Sequence, residues 1–93
     1  MSYRISQSQI EAYQQDGVVP LRNVVSERWL AQLAAAIEDD MREPGPFYHG
    51  YASDDGRFHG NLRIWETHQA FKEFCFDSDL PAIAQRFFDT DKI

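Results

Sequence analysis

The sequence predicts a mainly helical chain with about four helices and one or two short strands. Three observations carry that expectation. Helix-capping signatures open two segments, apolar residues recur at helical spacing in the second of them, and only one run of residues is rich in valine. The 93 residues suit one domain. An apolar fraction of 43%, with seven Phe, four Tyr and two Trp, is enough to pack a core and excludes a disordered tail.

Ser6-Gln7-Ser8-Gln9 has the form of a capping box, with Ile5 and Ile10 placed as a hydrophobic staple. The first helix is therefore expected over about Gln7 to Asp16, with Gly17 as the left-handed residue that ends it. Val18, Val19, Leu21, Val24 and Val25 then read as a strand within "DGVVPLRNVVS". Pro20 cannot donate to a ladder, so that strand belongs at an edge or a bulge.

Ser26 caps the second helix. Leu30, Leu33, Ala34, Ile37 and Met41 form an amphipathic stripe expected to face the core. Gln32, Glu38 and Asp39 are assigned to the opposite, polar face. "EPGP", residues 43 to 46, ends the helix.

The stretch "GPFYHGYASDDGRFHGN" holds four of the five glycines, interleaved with Phe47, Tyr48, Tyr51 and Phe58. Irregular connections of this length in a compact domain are usually functional or disordered, and the aromatics argue against simple disorder. These four aromatics are the candidate substrate-contacting residues, although pinning the loop to the surface would use the same residues. Leu62 to Glu66 reads as a short extended segment or a helix entry, with Trp65 a core candidate. A third helix is expected from about Thr67 to Phe76. A fourth is capped by Ser78 or Asp79 and carries Pro81 in its first turn.

Charge and composition exclude several functions. The net charge is −6 and the nine Lys and Arg are scattered singly, which excludes a nucleic-acid binder with its clustered basic face. No apolar run approaches the ~20 residues that span a bilayer, and no signal peptide opens the chain. A cytoplasmic protein is expected. The one cysteine, Cys75, cannot form an internal disulfide and reads as a small buried hydrophobe. The paired aspartates 39-40 and 54-55, with Asp77 and Asp79, have the character of caps and solvated turns.

A strand without neighbours leaves its ladder unsatisfied, and a two-stranded ribbon is marginal. Apart from Leu62 to Trp65, the partner strands are expected outside residues 1–93, further along a longer chain or in another molecule.

The order and wording of these segments resemble the opening of the phytanoyl-CoA dioxygenase family. The residues concerned are "QIEAYQQDGVVPLRNVVSERWLAQLAAAI" and "LRIWETHQAFKEFCFDSDLPAIAQRFFDTDKI". The resemblance implies that residues 1–93 are the N-terminal helical part of an α+β, cupin-like jelly-roll enzyme with a double-stranded β-helix. It further implies Fe(II) and 2-oxoglutarate as cofactors of the full-length enzyme, and hydroxylation of a small organic substrate. The family's iron ligands, a His-x-Asp pair and a distant His, lie C-terminal to the matching segment, as does its 2-oxoglutarate-binding Arg. No metal, cofactor-binding or catalytic residue is therefore assigned here, and the 93 residues alone are expected to be inactive.

The three histidines agree with that assignment. His49-Gly50-Tyr51 and His59-Gly60-Asn61 lack a carboxylate at the third position. His68-Gln69-Ala70 matches the His-x-Ala of the halogenase branch, but no later His completes a site. The alternative function is a non-enzymatic helical domain that binds a partner by strand addition through Val18 to Leu21.

Overall fold

The computed structural model describes residues 3–46, 48–50 and 59–93. In chain order it contains α1 (Gln7–Asp16), α2 (Glu27–Arg42), β1 (Tyr48–Gly50), β2 (His59–Asn61), α3 (Ile64–Thr67), α4 (Gln69–Asp77) and α5 (Leu80–Phe88).

Local chemistry sets the first two helices. The Ser6 hydroxyl accepts from the Gln9 amide at 3.2 Å, and the Gln9 carboxamide accepts from the Ser6 amide at 2.9 Å. This capping box satisfies donors that the helix itself leaves open. Gly17 at φ 75° closes α1 in the left-handed conformation, where its amide donates to the Tyr13 carbonyl. The Ser26 hydroxyl likewise accepts from the Trp29 amide and opens α2. Helix α2 ends at Arg42, with Glu43 as its C-cap just before Pro44.

The expected strand over Val18 to Val25 is not formed. Residues 18–21 are irregular and 22–23 form a turn. Two features explain the difference. Asn23 takes φ 57°, which breaks an extended run. The two strands that do form, β1 and β2, pair only with each other. The valine-rich segment instead lies along α1 and α5, with Val19 and Leu21 half-buried and Val18 70% exposed.

Between Leu62 and Asp77 the chain holds two helices, α3 and α4, where the sequence predicts one. The short α3 resolves the choice at Leu62 to Glu66 in favour of a helix entry. His68, extended at φ −132°, separates α3 from α4. At the start of α5 the Ser78 hydroxyl accepts from the Leu80 amide at 3.3 Å. The Asp79 carboxylate instead accepts from the Tyr3 amide at 2.8 Å and ties the start of the described chain to α5.

Among the described residues the buried apolar ones are Ile10, Ala36 and Ile83, one each from α1, α2 and α5. Aromatic pairs extend this small core. Tyr13 meets Phe87 edge-on at 5.2 Å between α1 and α5, and Trp29 meets Phe74 at 5.6 Å between α2 and α4. Trp65 pairs with Phe76 at 5.8 Å but remains 41% exposed, contrary to its expected place in the core. Cys75 is also exposed, contrary to expectation.

The largest departure concerns α2. The residues that turn inward are Trp29, Gln32, Leu33, Ala36 and Asp40. Leu30, Ile37 and Met41 are 54%, 49% and 52% exposed, and Ala34 is exposed beside them. Of the expected apolar stripe only Leu33 faces the interior. Gln32, expected on the polar face, is half-buried and donates to the Ala70 carbonyl at 3.3 Å and to Glu73 at 3.0 Å. Gln32 supplies hydrogen bonds across the contact between α2 and α4. No helix among the described residues is long and apolar enough to cross a membrane.

Candidate functional site

The candidate aromatic stretch includes a two-stranded ribbon, β1 and β2. β1 and β2 run antiparallel, with Tyr48 opposite Asn61, His49 opposite Gly60, and Gly50 opposite His59. An isolated ribbon of this size is marginal and needs an anchor. Asn61 supplies it. Its Nδ2 donates to Asp40 Oδ1 at 2.7 Å and to the Pro44 carbonyl at 2.6 Å, fastening β2 to the end of α2. Asp40 is 6% exposed, a buried acid whose position depends on such partners.

Of the four aromatics proposed to contact substrate, Tyr48 lies on β1 and is 40% exposed. Phe47, Tyr51 and Phe58 lie outside the described residues. The ribbon brings the two ends of their segment together, to Gly50 and His59.

His49 and His59 are not cross-strand partners. His68 has a structural role. Its Nδ1 accepts from the Ala70 amide at 3.3 Å as the N-cap of α4, and its ring packs edge-on to Phe71 at 5.1 Å. Its Nε2 lies 4.0 Å from Asp39, which is paired with Arg42. The His-x-Ala match of the sequence is thus a helix cap joined to the end of α2. Among the described residues, no group of three or more His, Cys, Asp or Glu is placed to hold a metal ion. The described residues do not fit an iron site.

Two apolar surfaces are open among the described residues. One is the outer face of α2 with Leu30, Ala34, Ile37 and Met41. The other is a groove between α1 and α5 lined by Tyr13, Val18, Val19, Leu21, Phe87 and Phe88. No backbone group of Val18 to Leu21 forms a hydrogen bond among the described residues. Sequence reasoning missed both the Asp40–Asn61 anchor and the outward turn of α2. The anchor joins residues 21 apart, and no local pattern announces it. Comparison with protein-family models, with curated proteins and with solved structures finds no match.

Proposed function

We propose that residues 1–93 are the helical part of an Fe(II)- and 2-oxoglutarate-dependent dioxygenase similar to the phytanoyl-CoA dioxygenase family. The observation that carries this reading is the resemblance of "QIEAYQQDGVVPLRNVVSERWLAQLAAAI" to the family's opening. The two open apolar surfaces support it, because a sheet-bearing core would cover such surfaces. Iron and 2-oxoglutarate would be held by residues beyond Ile93. The complete enzyme would hydroxylate a small organic substrate with O₂ while 2-oxoglutarate is converted to succinate and CO₂. This chain would contribute the helical layer and the aromatic segment, with Tyr48 its described member.

The test is an assay of the protein encoded when the reading frame is continued past Ile93. Fe(II)-dependent release of CO₂ from 2-oxoglutarate supports the reading. A continued protein without a His-x-Asp pair and without that release overturns it.

A second reading is favoured by one observation, the unbonded backbone of Val18 to Leu21 beside an apolar groove. A non-enzymatic domain could add a partner strand there. A stop codon directly after Ile93, together with capture of an extended peptide along Val18 to Leu21, would select it.

A further inference from the structure

We propose that the outer face of α2 is a docking surface for an apolar partner surface edged with Lys or Arg. The face consists of Leu30, Ala34, Ile37 and Met41. Their spacings of four, three and four residues are those of a seam that meets another element. Three of the four are large side chains about half exposed, whereas isolated apolar residues on a surface need no explanation.

Charge selects the partner. Glu27 and Glu38 lie eleven residues apart, three turns of α2, on the side of the stripe away from the core. Glu27 precedes Leu30 by three residues, and Glu38 follows Ala34 by four and precedes Met41 by three. These spacings make them surface neighbours of the stripe. A parallel second copy would set Glu27 against Glu27 and Glu38 against Glu38. Any second copy also brings −6 to meet −6, and like charges across an interface exclude partners. A basic rim reverses the sign of every one of these terms. The inference is independent of the oxygenase reading, since the face requires a cover in either case.

The test uses two synthetic amphipathic peptides of about sixteen residues, the length of α2. One is built from Leu and Lys, the other from Leu and Glu. Titrations followed by fluorescence anisotropy and by amide NMR on the 93-residue chain are expected to show the Leu/Lys peptide binding at least about tenfold tighter. Shifts should centre on Leu30 to Met41, and added salt should weaken binding. Ile37→Ser and Leu30→Ser, at exposed positions, should each weaken it about tenfold or more, whereas Val18→Ser in the other groove should not. Glu27→Lys combined with Glu38→Lys should transfer the preference to the Leu/Glu peptide. Equal binding of the two peptides overturns the proposal, as does indifference to the α2 substitutions. A dimer of the free chain that Ile37→Ser dissolves also overturns it, by identifying the occupant as a second copy.

Discussion

The carboxamide of Asn61 donates to the buried carboxylate of Asp40 at 2.7 Å, joining the second strand of the ribbon to the last turn of α2. This contact and the Pro44 carbonyl hold β2 against the helix. Removing either partner should cost about 0.5–1.5 kcal/mol, the net contribution of one hydrogen bond. In a double-mutant cycle, Asp40→Ala and Asn61→Ala should couple by about 0.5 kcal/mol or more. Urea denaturation of the four proteins measures the coupling, and strict additivity would show that the two side chains act separately.

The orientation of α2 predicts opposite outcomes at adjacent positions. Ala36 is 2% exposed and Ile37 is 49% exposed. Ala36→Asp should destabilise by several kcal/mol, about 3 or more, because it puts an unpaired charge at a buried position. Ile37→Asp should cost about 0.5 kcal/mol or less in the free chain, as a surface substitution does. Thermal melts of the two variants test this, and similar melting temperatures would refute the face.

The backbone of Val18 to Leu21 forms no hydrogen bond among the described residues. Amides at Val18, Val19 and Leu21 should therefore exchange with solvent far faster than those in the middle of α2. Hydrogen exchange read by NMR measures this directly. Strong protection of these three amides would reveal a partner for the segment.

His68 caps α4 through Nδ1. His68→Ala should cost about 1 kcal/mol, and His68→Asn should recover most of it, because asparagine caps through a side-chain oxygen. Anaerobic titration with Co(II) should give no stoichiometric micromolar site in the parent chain or in either variant. A micromolar site lost on His68→Ala would return the histidine to metal chemistry.

The parts of this fold that were legible in the sequence are those decided within one turn of helix. Ser6 with Gln9, Gly17 and Ser26 act on neighbours three or four residues away, and each does so as its residue type predicts. The face of α2 was not legible for a physical reason. The helix carries two apolar arcs, one through Trp29, Leu33 and Ala36 and the other through Leu30, Ala34, Ile37 and Met41. Periodicity reports that an apolar stripe exists but not which side meets a neighbour. The valines after Gly17 suggested a strand because propensity is local, whereas pairing depends on a partner that the described chain does not supply. The Asp40–Asn61 anchor and the capping role of His68 depend on side-chain geometry, and spacing alone does not specify it.

The proposal that residues 1–93 are the helical part of a longer oxygenase implies that the rest of that enzyme covers the outer face of α2. Cysteine accessibility tests it most directly. In a Cys75→Ser background, Ile37→Cys should react readily with a maleimide in the 93-residue chain. In the protein produced by continuing the reading frame past Ile93, the same thiol should react at least about tenfold more slowly, corresponding to at least about 1.4 kcal/mol of cover. Ala35→Cys, on the far side of the helix, should react alike in both. Equal reactivity of the Ile37 position in the two proteins would contradict the account.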